Sequence, residues 1–77
     1  MADCNRRLRW DGKKLSIHRR GCGLTQRQLA AVIGRSRESV QAYEATRAVP
    51  PVTVAVAIAT ALGVDLAELV GPGGERL

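Results

Sequence analysis

The residues of this 77-residue chain whose types and spacing could do chemistry are hydrogen-bonding ones. Arg37, Glu38 and Gln41, with Ala42 beside them, share one face of the segment RESVQAYE when it is wound as a helix. A guanidinium, a carboxylate and a carboxamide so placed recognise a partner through directed, often paired, hydrogen bonds. A second polar group, Gln26, Arg27 and Gln28, stands around the start of the preceding helical segment. Sets that break bonds are missing. There is no Ser/His/Asp, Cys/His or paired-carboxylate constellation and no glycine-rich phosphate loop, and His18 is the single histidine. The expectation is a protein that is not an enzyme and needs no cofactor. His18 and Cys22 lie four apart, a spacing that can put two metal ligands on one helix face, but four ligands are not available and no metal is expected. Cys4 and Cys22 read as reduced thiols in a cytoplasmic protein.

The elements that must position these groups are two short helices joined by a tight turn, over GLTQRQLAAVIGRSRESVQAYE. Thr25 is placed as the N-cap of the first, and Gln28 three residues on completes a capping box, with Leu24 and Leu29 as a hydrophobic staple. Leu29, Ala30 and Ile33 form its buried stripe, and Gly34 supplies the positive φ that ends it. Ser36 caps the second helix, whose buried face carries Val40 and Tyr43. Such a unit reads as a DNA-binding helix-turn-helix.

Around it the chain divides by charge. Residues 1–49 hold eleven of the twelve Lys and Arg against Asp3, Asp11, Glu38 and Glu44, a balance of +7, whereas residues 50–77 come to −2. The basic half contains the helical pair, which suits a polyanionic partner. Residues 1–9, with Arg6, Arg7 and Arg9, read as a flexible basic arm or tail, residues 10–70 as the domain, and residues 71–77 as a flexible tail. Asp11 is the expected N-cap of helix one, on which His18 reads as a half-buried histidine with a hydrogen-bond partner. Pro50-Pro51 introduces helix four, which ends at Gly63 and carries an inner stripe of Val52, Ala55, Ile58, Ala59 and Leu62. Val54, Val56, Ala57 and Ala61 add an apolar outer surface, and Asp65 and Glu68 are placed to box a short helix five. The apolar run from Val52 to Leu62 is about half the length that a bilayer requires, so no membrane association is expected.

Leu24-Thr25-Gln26, Leu29-Ala30, Gly34, Ser36, Val40, Glu44, Pro50, Ile58-Ala59, Ala61-Leu62-Gly63-Val64 and Leu69 together resemble the Cro/repressor-type (XRE-like) helix-turn-helix family. The resemblance implies an all-α, compact five-helix bundle of the lambda-repressor-like kind that binds double-stranded DNA. It also implies that Arg19 and Glu44 form a structural ion pair tying helix one to the end of helix three. In that family helix three enters the major groove. On that geometry Arg37 and Gln41 are the expected readers of guanine and adenine, Glu38 of cytosine, and Ala42 of a thymine methyl. Thr25, Gln26, Arg27, Arg35 and Arg47 are the expected phosphate contacts. Two departures stand out. Arg35 occupies a turn position where relatives prefer a small apolar residue, and Ala45-Thr46-Arg47 replaces the usual Gly or Asn after helix three. Because threonine suits positive φ poorly, that turn is expected to take another form or helix three to run longer.

One such domain reads few base pairs, so a homodimer on half-sites about 34 Å apart is expected, paired through Val54, Val56, Ala57 and Ala61. The expected function is sequence-specific transcriptional regulation. The alternative is a protein-binding module, such as an antitoxin or adaptor, that uses the same apolar surface of helix four.

Overall fold

Asp11, with extended backbone, accepts the Lys13 amide at 3.1 Å and opens the first helix of the computed structural model, which describes residues 8–72. Four α-helices follow among the described residues: α1 Gly12–Gly21, α2 Gln26–Ile33, α3 Arg37–Glu44 and α4 Val52–Leu62. The caps lie where the residue types put them. Thr25 Oγ1 accepts the Gln28 amide at 3.0 Å while Gln28 Oε1 accepts the Thr25 amide at 2.8 Å, so both box bonds form. Ser36 caps α3 through the Ser39 amide at 3.1 Å, and Gly34 ends α2 at φ +72°. Leu15, Leu29, Val40, Ile58 and Leu69 are fully buried where the four helices meet.

The expected fifth helix is instead a single 3-10 turn, Leu66–Leu69, and this corrects the five-helix reading. Asp65 makes no side-chain cap bond, so the expected box with Glu68 does not form. The cause lies downstream. Val70–Pro72 is drawn into a strand (β2) that pairs antiparallel with Leu8–Trp10 (β1), in the register Leu8 to Pro72, Arg9 to Gly71 and Trp10 to Val70. Only a few residues remain between the Gly63 turn and that strand, too few to meet the nucleation cost of an α-helix. Leu8 and Arg9, assigned above to the arm, and Gly71 and Pro72, assigned to the tail, therefore belong to a two-stranded ribbon; residues 1–7 and 73–77 lie outside the described residues. The Asp11 amide bonds to the Leu69 carbonyl at 2.9 Å and Lys14 Nζ to the Val70 carbonyl at 2.8 Å, which extends the closure into α1.

The N-terminus of α1 abuts the C-terminus of α3. Trp10 Nε1 donates to the Tyr43 carbonyl at 2.8 Å. A Cβ on Gly12 would lie 2.2 Å from that carbonyl oxygen, so only glycine permits the approach. Here the structure corrects a second expectation. Thr46 does adopt positive φ, at +61°, and α3 stops at Glu44. The strain is offset by a long-range bond, since Thr46 Oγ1 accepts the Gly12 amide at 3.1 Å and satisfies a free donor of the first turn of α1.

In α4 the inner stripe is Val54, Ala55, Ile58, Ala59 and Leu62, while Val52 is 73% exposed. Val54 was expected on the outer surface and Val52 inside; the two are exchanged. With Pro51 as N-cap, residues 54, 55, 58, 59 and 62 fall on one side at about 100° per residue, and Val52 falls with Val56 on the other. Val54 therefore belongs to the core and does not face outward as the expected dimer surface required. Among the described residues no helix is long and apolar enough to cross a membrane.

Candidate nucleic-acid interface

Glu44, the last residue of α3, holds three elements in register. Arg19 of α1 donates from Nε to Glu44 Oε2 at 2.5 Å and from Nη2 to Oε1 at 3.3 Å. Its Nη1 donates to the Leu24 carbonyl at 2.7 Å, and Gln26 Nε2, in the first turn of α2, donates to Glu44 Oε1 at 3.0 Å. Both charged side chains are 9% exposed, so the fork is desolvated and every partner is needed to satisfy the others. Because Gln26 has a second amide hydrogen, it can bond Glu44 and still present a donor outward.

On this frame the polar residues of α1, α2 and α3 border two shallow grooves with Gln26 on the ridge between them. One is lined by Arg19, Arg20, Thr25, Gln26, Arg27 and Arg37. The other is lined by Lys13, Ser16, Gln26, Gln41, Glu44, Ala45 and Arg47. Arg37 and Glu38 are exposed in the first turn of α3, while Gln41 and Ala42 are half-buried one turn on. Among the described residues no side-chain hydrogen bond or ion pair engages Lys13, Arg20, Arg27, Arg37 or Arg47. Five uncompensated cations thus surround a pair of grooves that also contain Gln26 and Gln41. A repulsive cluster of this kind has a potential suited to an anion.

Of the sequence-derived residues, Thr25, Gln26, Arg27, Arg37, Gln41 and Arg47 come together at these grooves. Arg35, exposed in the α2–α3 turn, does not, and Glu38 and Ala42 of α3 likewise line neither groove. Lys13, Ser16 and Arg20 were not singled out from the sequence, although their spacing over helix one puts them on one exposed side. His18 is half-buried on α1, with Nε2 3.7 Å from Glu68 Oε1, too far for the hydrogen bond expected of it. Cys22 is a free, exposed thiol whose Sγ donates to the Leu62 carbonyl at 3.5 Å. Among the described residues no three His, Cys, Asp or Glu side chains gather to hold a metal ion.

Two short capped helices crossing at a glycine turn, braced by a third through a buried ion pair, define a helix-turn-helix domain. A family model described as a helix-turn-helix domain matches residues 6–70, and the chain belongs to that family, in its Cro/repressor-type branch. It is similar to the restriction-modification controller protein C.AhdI from Aeromonas hydrophila, with a TM-score of 0.71 and 31% identity over 75% of this chain and 88% of that one. It is also similar to the hypothetical transcription factor NHTF from Neisseria, with a TM-score of 0.72 and 31% identity over 84% of this chain and 75% of that one. A third likeness is to cobalt(II) HppE in complex with substrate, with a TM-score of 0.75 and 27% identity; it covers 86% of this chain but only 37% of that protein. Comparison with curated proteins gives no match.

Proposed function

We propose that this chain is a sequence-specific DNA-binding transcriptional regulator that binds a palindromic operator as a homodimer, with α3 in the major groove. The observation that carries the reading is the band of cations around Gln26 and Gln41, unpaired among the described residues and mounted on the buried Arg19–Glu44 frame. In this reading Arg37 takes guanine O6 and N7 with its fork, Gln41 takes adenine, Glu38 accepts from cytosine N4, and Ala42 meets a thymine methyl. Thr25, Gln26, Arg27 and Arg47 hold phosphates, and Arg35 reaches one from the turn. The likeness to a restriction-modification controller protein and to a hypothetical transcription factor supports regulation. What HppE does with its substrate does not carry over, because this chain spans little more than a third of it.

A second reading, a protein-binding module, is favoured by the exposed valines Val52 and Val56 on α4, which stand one turn apart. One experiment separates the two: selection from a random-sequence duplex library, followed by titration of the selected duplex at two salt concentrations. A palindromic consensus and a steep salt slope are expected of the regulator. Weak binding without enrichment is the outcome expected of the protein-binding module.

A further inference from the structure

We infer that α1 is a phosphate clamp, with Lys13, Ser16 and Arg20 gripping one DNA strand on either side of the Gln26 ridge. This rests on the DNA-binding reading above and names a contact set that the reading does not contain.

Arg20 lines the groove on one side of Gln26, while Lys13 and Ser16 line the groove on the other. The three residues stand three and four apart in Gly12–Gly21, so they form one row along the outer side of the helix. The adjoining side of α1 is anchored by Leu15, fully buried, and by Arg19, whose guanidinium is spent on Glu44 and the Leu24 carbonyl. The row therefore cannot roll away from the grooves. Each groove has α1 as one wall and α2 or α3 as the other, with Arg27 and Arg37 facing Arg20 and with Arg47 and Gln41 in the groove of Lys13. Neither cation of the row has a carboxylate partner among the described residues; Glu44, the acid nearest to hand in the second groove, is already neutralised by Arg19. A polyanion whose successive charges flank Gln26 satisfies both grooves at once, and a nucleic-acid strand is such a polyanion. Phosphate contacts set orientation without carrying sequence, so the clamp fixes how α3 enters the groove rather than which bases it reads.

The test compares the full chain with the Lys13→Gln/Arg20→Gln variant on the duplex selected from the random library. Unfolding midpoints of both are measured first and are expected to agree, because neither side chain has a partner to lose among the described residues. Loss of the clamp should lower the slope of log affinity against log salt by about two per bound domain, so that each lost contact shrinks the affinity ratio between 50 and 200 mM salt about three- to fourfold. The consensus selected by the variant should be unchanged. Phosphate-ethylation interference should weaken at the phosphates beside Lys13 and Arg20, where Gln26, Arg27 and Arg47 still make contacts, and persist unchanged elsewhere. An unaltered slope, or a lower slope with an unaltered interference pattern, overturns the clamp while the DNA-binding reading stands. If the unaltered chain enriches no duplex, both fall.

Discussion

Thr46 carries two opposing effects on one side chain. A β-branched residue in the left-handed region costs roughly 1–3 kcal/mol, and the hydroxyl that Gly12 needs returns about 1 kcal/mol. Thr46→Val keeps the strain and strands the Gly12 amide, so denaturant unfolding should show a loss of about 1–3 kcal/mol. Thr46→Gly loses the same acceptor but relieves φ, and its stability should lie within about 1 kcal/mol of the parent. If both variants lose equally, the positive φ is not a source of strain. Gly12 has no such latitude. Gly12→Ala drives a methyl against the Tyr43 and Glu44 carbonyls, and a loss of about 3 kcal/mol or failure to fold is expected by circular dichroism. At Glu44, truncation to Ala leaves the Arg19 guanidinium buried without its carboxylate, an effect of about 3–5 kcal/mol, whereas the Glu44→Ala/Arg19→Met pair should recover much of it. A double-mutant cycle measures that recovery.

At the scale of elements, α3 and α4 make separable predictions. Arg37 is exposed and bonds nothing within the described chain, so Arg37→Ala should leave stability within about 0.5 kcal/mol yet cost roughly 1–3 kcal/mol in binding and relax a single operator position. In α4, Val54→Ala should destabilise by about 2 kcal/mol and Val52→Ser by less than about 0.5 kcal/mol, although both residues are valines two positions apart. These elements differ in how far they could be read from sequence. The starts of α1, α2 and α3 and the stops at Gly34 and Gly63 were legible because a cap acts within three or four residues of chain. The rotation of α4 was not, since Val52 and Val54 have the same hydrophobicity and a helix apolar nearly all round gives periodicity little to work with. The β1–β2 ribbon was hidden for another reason. Its two strands of three residues each come from opposite ends of the domain, and no local signal links Trp10 to Val70. The Thr46 turn was misread because its stabilising partner, Gly12, lies 34 residues away. In the candidate interface, Gln26, Arg37 and Gln41 were found through the motif, while Lys13 and Arg20 needed the packing of α1 against α2 and α3 to show which grooves they border.

For the whole molecule, the outer side of α4 is the surface on which two copies are expected to pair. Val52 and Val56 stand one turn apart there, 73% and 47% exposed, beside the exposed Thr53 and Thr60. Small and β-branched side chains of this sort let two helices approach closely, and a patch used by both copies alike gives the two-fold symmetry that a palindromic operator requires. Replacing Val52 and Val56 together by Asp removes apolar surface and adds two like charges to each copy, so a self-paired helix should separate. Sedimentation equilibrium should then give a mass near 8.3 kDa instead of twice that value, with the thermal midpoint unchanged at matched monomer concentration after allowance for mass action. Retention of the double mass would remove α4 as the pairing surface. The DNA readout adds a constraint that mass alone cannot supply. If α4 sets the spacing between two recognition helices, the separated variant should bind an isolated half-site as tightly as the parent does, because Arg37, Gln41 and the basic grooves are untouched. It should lose only the preference for two half-sites about one helical turn apart. Loss of half-site affinity as well would mean that α4 supports the interface from within the monomer, and the pairing of copies would have to be sought on another surface.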